Sequence, residues 1–368
     1  MAVAVGGHVI YAHDGLRRRT PASNEKLVLT MALFDQLGPW FRIRTTAAAL
    51  LARGGRVQGD LWILGHGDPT MTSNDAHYWG PLRSTTLERL AAHIRHAGIK
   101  EITGRVMAAD DYFAHDFAAP GWQPFVPRNY VELPAALSLN GNFHVSGHPE
   151  RAVARALNHQ LETSGINVGG NPAVGIAPAR LVPVASVISS PLSRIVANMD
   201  GTSNNFFAEV LGKLLGAKTY GPPGTIRKGA RAIEAWAGRN GVKMSAYDSS
   251  GLSYKDKISP RGIVKLLAAA EERRWGQRLR RDLPAPGQGT LEGRLAGLRV
   301  HAKTGTLFNS DSALSGWVRR VNSGPWIEFS ILDRNAPKAL EDSIVAAIAH
   351  APMAAVVHPS LRSTTPCR

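Results

Sequence analysis

Three short motifs, widely separated along the chain, place the strongest demand on its fold. They are Ser23-Asn24-Glu25-Lys26, Ser203-Asn204-Asn205 and Lys303-Thr304-Gly305-Thr306. If they act together, Ser23, Ser203 and Lys303 must meet in one cleft. Ser23 and Lys26 are three residues apart just after Pro21, where a helix should begin, so they share one helix face. A serine hydroxyl is a weak nucleophile until a nearby base takes its proton. A lysine serves as that base once burial or a second cation lowers its pKa from about 10.4. A helix N-terminus adds backbone N–H groups able to hold an oxyanion. The lysine and two threonines of the third motif suit a carboxylate, and Gly305 lets a substrate backbone approach closely. Singly, the motifs also read as a capped helix start, a second helix cap and a strand turning into a loop.

The surrounding pattern suits an α+β fold. Ala2–Val5 and His8–Ala12 read as a hairpin around Gly6-Gly7, and Leu27, Met31 and Phe34 mark a helix. Thr45–Ala52 and Asp60–Leu64 read as a second hairpin turning at Gly54-Gly55. The pair Thr85 and Glu88 reads as a capping box opening a helix that Gly98 closes. Residues 116–134, rich in proline and aromatics, read as an ordered loop, with Trp122 to Tyr130 assigned to covering a core rather than lining a cleft. A further helix is expected from about Glu150 to Ser164. Leu192–Met199, Asn205–Leu215 and Pro260–Arg274 are helical. Val300–Thr304, Gly316–Val321 and Trp326–Leu332 are strands, the last two joined at Asn322-Ser323-Gly324. Leu340, Ile344 and Ile348 mark the buried stripe of a last helix, and the tail after Pro359 is expected to be loose. Strands at both ends predict an antiparallel sheet flanked by helices, formed by residues 1–45 and 185–368, with 46–184 as an inserted domain.

Composition removes several classes. The 44% of hydrophobic residues suffices for a core, and no apolar run approaches the roughly 18 residues of a membrane span. No signal peptide is visible at Met1–Gly7. The net charge of +15 favours polyanionic surroundings, yet there is no zinc-finger spacing and no basic motif interleaved with aromatics, so nucleic acid is not expected as a partner. The single cysteine, Cys367, excludes an internal disulfide and a cysteine zinc site. His93 and His96 form H-x-x-H without an apparent third ligand, and read as surface histidines. Gly65-His66-Gly67-Asp68 lacks dinucleotide or P-loop spacing.

The three motifs, in this order, resemble those of serine β-lactamases and penicillin-binding proteins. The wider pattern resembles the D-alanyl-D-alanine carboxypeptidase/endopeptidase family, the penicillin-binding protein 4 type. The resemblance is carried by Pro21–Leu27, by Gly59-Asp60-Leu61-Trp62 with Gly67-Asp68-Pro69-Thr70, by Ala136–Asn142, by Asp248–Ser253 and by His301–Leu307. It extends over about residues 8–350. Departures are Asn204 in the middle motif, Ser249 where glycine is common, and a short stretch from Asn142 to Ser189, which makes the inserted domain look cut down.

The resemblance implies a β-lactamase/transpeptidase-like domain and a serine D-Ala-D-Ala carboxypeptidase/endopeptidase acting on peptidoglycan stem peptides. Ser23 would attack the carbonyl before the terminal D-alanine, and Lys26 would take its proton. Ser203 and Lys303 would return a proton to the leaving amine. The N–H groups of Ser23 and Thr306 would hold the oxyanion, Asn205 the substrate amide, and Thr304 and Thr306, flanking Gly305, the terminal carboxylate. No cofactor or metal is implied. β-Lactams would be covalent inhibitors, and the location would be extracytoplasmic, on the periplasmic or cell-wall face. The rivals are a β-lactamase or esterase using the same site, and a non-catalytic wall-binding relative. The inserted domain argues against the former and the intact Ser23, Lys26, Ser203, Asn205 and Lys303 against the latter.

Overall fold

The computed structural model describes residues 1–351 apart from 144, 146, 309, 310, 322 and 323. The chain opens on the expected hairpin of β1 (Ala2–Val5) and β2 (His8–Ala12). A short 3-10 turn over Ala22–Asn24 leads into α1 (Glu25–Leu37), which carries the apolar residues from Leu27 to Phe34 into the core and ends at Gly38. Ten residues of α1 are buried, so it is a central helix rather than a surface one.

The second hairpin divides. β3 (Arg44–Ala49) breaks at Leu50, and Gly54-Gly55 turns a smaller pair, β4 (Leu51–Arg53) and β5 (Arg56–Gln58). β3 pairs instead with β6 (Leu61–Leu64). The helix α2 (Leu87–His96) is capped by Thr86, whose side chain accepts from the Arg89 N–H. Thr85 is not the cap: its hydroxyl donates to the buried carboxylate of Asp68 at 2.7 Å. The cap is therefore one residue later than expected, because Asp68 competes for the first hydroxyl. Beyond it lie β7 (Glu101–Ile102), β8 (Val106–Ala109) and α3 (Pro149–Thr163). β9 (Asn167–Val168), β10 (Ala173–Gly175) and β11 (Val182–Ile188) complete this portion. Its larger sheet has the order β10-β8-β6-β3-β11, and its smaller one β4-β5-β7-β9. Leu61, Ile63, Leu90, Ile94, Val153 and Leu157 fill a core of their own beneath them.

The chain then returns as a run of helices: α4 (Leu192–Thr202), α5 (Asn205–Tyr220), α6 (Ile226–Arg239), α7 (Pro260–Glu271) and α8 (Gly276–Asp282). The sequence reading passes over α6, although Ile226, Ala230, Ile233 and Ala237 bury one face at helical spacing. The last strands, β12 (Arg299–Thr306), β13 (Asp311–Arg319) and β14 (Trp326–Arg334), join the first hairpin in an antiparallel sheet of order β12-β13-β14-β1-β2. The turn at Asn322-Ser323 and the tail with Cys367 lie outside the described residues. The final helix, α9 (Lys338–His350), buries Glu341, Val345 and Ala349. The expected stripe is thus rotated by one residue: Leu340 is 47% exposed, while Ile344 and Ile348 only flank the buried face. Ser312 draws Glu341 inward through a 2.6 Å hydrogen bond, and Arg294 meets the same carboxylate at 2.9 Å. A buried polar pair therefore overrides the apolar stripe.

Among the described residues, no helix is long and apolar enough to cross a membrane. We propose the division into a discontinuous unit of 1–45 and 185–368 with an insertion at 46–184, on the strength of the separate core. Leu82, Phe113 and Ala136 of the inserted stretch nevertheless join the main core with α1, α4 and α5. That shared packing sets the loop between Phe113 and Ala136 over the end of α5.

Candidate active site

Two helix starts and one strand edge meet between the sheet and α5. Ser23 lies in the 3-10 turn before α1, half-buried, and Lys26 lies one turn on, fully buried. The Lys26 ammonium nitrogen is 3.0 Å from the Ser23 Oγ, 2.8 Å from the Asn205 Oδ1 and 2.6 Å from the Ser250 carbonyl oxygen. Asn205 is the first residue of α5, and its Nδ2 donates to the Tyr130 carbonyl at 3.1 Å. That bond fixes the amide orientation, leaving Oδ1 to Lys26. The Asn205 and Ser250 oxygens can only accept. A neutral Lys26 amine gives them its two hydrogens and aims its lone pair at the Ser23 hydroxyl.

Burial lowers the Lys26 pKa to about 8, against the pull of the Asp248, Glu209, Asp200 and Glu25 carboxyls. Burial is therefore the main lever. Mutual repulsion is visible at Lys303, whose pKa falls to about 7 through burial first and the Lys26 charge second. The Lys303 Nζ reaches the Ser203 Oγ at 2.9 Å and the Thr304 carbonyl at 2.8 Å. Ser203 ends α4 in the left-handed region at φ 56°, which turns its hydroxyl out of the helix line. Asn204 is the N-cap of α5, accepting from the Phe207 N–H at 2.9 Å. Capping needs only an acceptor oxygen, which explains why asparagine serves in the middle of this motif.

β12 is the edge of its sheet and lies against the Ser23 turn. A Cβ on Gly305 would stand 3.0 Å from the Ser23 backbone nitrogen and 3.1 Å from the Ala22 methyl, so strand and turn can approach this closely only with glycine there. Thr304 is half-buried and Thr306 exposed beyond it. Gly251, at φ +81°, is tighter still: a Cβ would lie 1.9 Å from the Ala22 carbonyl oxygen.

The fold thus gathers Ser23, Lys26 and Asn205 into one hydrogen-bonded group and Ser203 with Lys303 into another, with Gly305 beside the Ser23 backbone. Sequence reasoning missed Tyr130 and Ser250, which act through backbone carbonyls that leave no residue-type signature. It also missed Glu209, fully buried on α5, whose Oε1 accepts from the Ser249 and Ser250 N–H groups at 3.0 and 2.8 Å. The carbonyl of the same residue, Ser250, points at Lys26. The loop from Trp122 to Tyr130 plays both roles weighed for it. Val126 and Val131 cover a small core with Ala22, Leu252 and Leu307. Phe125 and Tyr130 instead stand exposed and pack edge-on against Phe308, with centroids at 4.9 and 4.6 Å. A cavity of about 250 Å³ lined by Trp79, Tyr130, Phe143, Ser203 and Asn205 adjoins them. His93 is held by a 2.9 Å contact with the Ser186 carbonyl.

Comparison with known proteins gives a consistent picture. A family model described as the D-Ala-D-Ala carboxypeptidase 3 (S13) family matches residues 2–146 and 132–353. A D-alanyl-D-alanine carboxypeptidase of an Actinomadura species is 27% identical, over 93% of this chain and 79% of its own length. The D-alanyl-D-alanine carboxypeptidase DacB of Haemophilus influenzae is 21% identical, over 81% of this chain and 77% of its own. Among solved structures, penicillin-binding protein 4 of Haemophilus influenzae shares the fold with a TM-score of 0.80 at 19% identity, covering 95% of this chain and 96% of that one. A predatory peptidoglycan endopeptidase of Bdellovibrio bacteriovorus has a TM-score of 0.58 at 16% identity, covering 94% and 90%.

Proposed function

The chain belongs to the D-Ala-D-Ala carboxypeptidase 3 (S13) family of peptidases, and from that membership we propose that it is a serine D-Ala-D-Ala carboxypeptidase/endopeptidase acting on peptidoglycan stem peptides. The observation that carries this reading is the Lys26 nitrogen, buried and 3.0 Å from the Ser23 Oγ, with its other two partners acceptors only.

In the proposed reaction, neutral Lys26 takes the Ser23 proton as Oγ attacks the peptide carbonyl preceding the terminal D-alanine. The N–H groups of Ser23 and Thr306 hold the oxyanion. The Ser203 hydroxyl gives its proton to the leaving nitrogen and regains one through Lys303. The C–N bond breaks and D-alanine departs, leaving an ester on Ser23. Water then attacks that ester, and the released carboxylic acid and restored Ser23 hydroxyl complete the cycle. Asn205 keeps one amide hydrogen on Tyr130 and offers the other to a substrate carbonyl. Thr304 and Thr306, beside the Lys303 charge, receive the terminal carboxylate. A β-lactam presents a strained amide at the same position, so penicillins are expected to acylate Ser23. On this reading the chain acts outside the cytoplasm, where peptidoglycan lies.

The test is labelling by a fluorescent penicillin together with release of D-alanine from a stem pentapeptide. Wild type should do both, Ser23→Ala neither. Lys26→Arg should be nearly as inert, because arginine keeps its proton at working pH. A Ser23→Ala chain that still labels covalently overturns the assignment. Rapid release of hydrolysed penicillin would favour a β-lactamase instead.

A further inference from the structure

Away from the catalytic group, three segments bring metal-binding side chains to one point. Asp110 follows β8, His115 begins the loop that carries Tyr130, and His148 precedes α3. One carboxylate oxygen of Asp110 and one ring nitrogen from each histidine lie within 4.8 Å of one another. The two imidazoles meet edge to face at 5.2 Å between centroids.

Beneath them is Glu150, on the first turn of α3. Its side chain is only 1% exposed, its Oε2 is 3.6 Å from the His115 Nε2, and neither oxygen accepts a hydrogen bond from another residue. A carboxylate taken out of water without donors is costly, and such groups are paired or bind cations. The neighbouring cation gives it no hydrogen bond. Lys213 spends its donors on Asp116, at 2.8 Å, and on the Ala114, Asp116 and Pro134 carbonyls.

We propose that Asp110, His115 and His148 bind a divalent transition-metal ion, zinc by preference, with Glu150 orienting His115 through its second ring nitrogen. Imidazole nitrogens select zinc over calcium or magnesium, which take oxygen ligands. Two histidines, one carboxylate and a water make a four-coordinate zinc shell with ligand distances of about 2.0–2.2 Å. The exposed histidine rings need only small rotations to close on it. A ligating histidine that gives its other nitrogen to a carboxylate is the usual supporting arrangement, and it supplies the partner that Glu150 lacks. The ion would tie the end of β8 and the start of α3 to the root of the loop whose Tyr130 carbonyl holds Asn205. Its role is therefore structural, and it is independent of the peptidase chemistry.

The test uses the full chain without an affinity tag, stripped with a chelator and dialysed against Zn2+. One equivalent of zinc per chain is expected, and Co2+ in its place should give visible absorption of a four-coordinate site. His148→Ala and Asp110→Asn should each weaken binding by at least tenfold, and Glu150→Gln by about 10–100-fold. Zinc should raise the melting temperature of wild type and not that of H148A. Both His148 and Asp110 reach solvent, so circular dichroism of the metal-free variants should match wild type and keep the comparison valid. Absence of saturable binding in wild type overturns the proposal, as does binding that D110N and H148A leave undiminished.

Discussion

The side-chain amide of Asn205 donates to the Tyr130 carbonyl at 3.1 Å and thereby turns its oxygen to Lys26 at 2.8 Å. A backbone group from the inserted stretch thus sets the hydrogen bonding of the proposed catalytic base.

The pH dependence of acylation follows from this base. With the Lys26 pKa lowered to about 8, the neutral fraction grows as pH rises, so acylation by penicillin should climb between pH 6 and 9 with a midpoint near 8. Asn205→Asp places a negative charge against Lys26, favours its protonated form and should move the midpoint upward. A stopped-flow pH series checks both. A midpoint unmoved in N205D would remove Asn205 from contact with the base.

Lys303→Ala separates two roles. Lys303 lies near enough to Lys26 for the two charges to repel, which together with burial lowers the Lys303 pKa to about 7. The substitution should slow acylation by about 10²-fold through loss of the proton path to Ser203 and move the midpoint upward, because Lys26 loses a neighbouring cation. A midpoint left near 8 would mean that Lys303 carries no charge when Lys26 titrates. Substrates lacking the terminal carboxylate should suffer less than those carrying it.

Glu209 predicts how stability varies with pH. Burial first and the Asp248 charge second raise its pKa to about 8. Between pH 4.5 and 8 the folded chain then holds a proton that the unfolded chain has released, so stability falls as pH rises. Glu209→Gln keeps the acceptor for the Ser249 and Ser250 N–H groups and removes the titration. Urea unfolding at pH 5 and 8 should show a shallower fall in E209Q, by roughly 1.4 kcal/mol for each pH unit that Glu209 alone controls.

Gly251→Ala should damage fold and activity together. The position is in the left-handed region, and the new methyl meets the Ala22 carbonyl beside Ser23. A loss of about 2 kcal/mol or more in unfolding free energy is expected, with slower acylation of the protein that remains folded. Alanine at Gly38, just after α1, where a Cβ meets nothing within 4 Å, should cost only the conformational strain and spare the acylation rate.

The sequence by itself determined the motif residues, the α+β class and most helix and strand positions. These depend on local periodicity, caps and turn residues, and on side-chain types that chemistry requires: an attacking hydroxyl at Ser23, a base at Lys26, a cation at Lys303. Only the tertiary structure decided how those residues are tuned. The depressed lysines come from burial, a property of the whole packed molecule. Lys26 is aimed by the Ser250 carbonyl directly and by the Tyr130 carbonyl through Asn205, and any residue type would carry those groups. Long-range polar pairs also overrode local signals, with Asp68 taking the Thr85 hydroxyl from its cap and Ser312 drawing Glu341 beneath α9. Local pattern records which groups a segment offers; which partner satisfies each buried group is settled only when distant segments exclude water together.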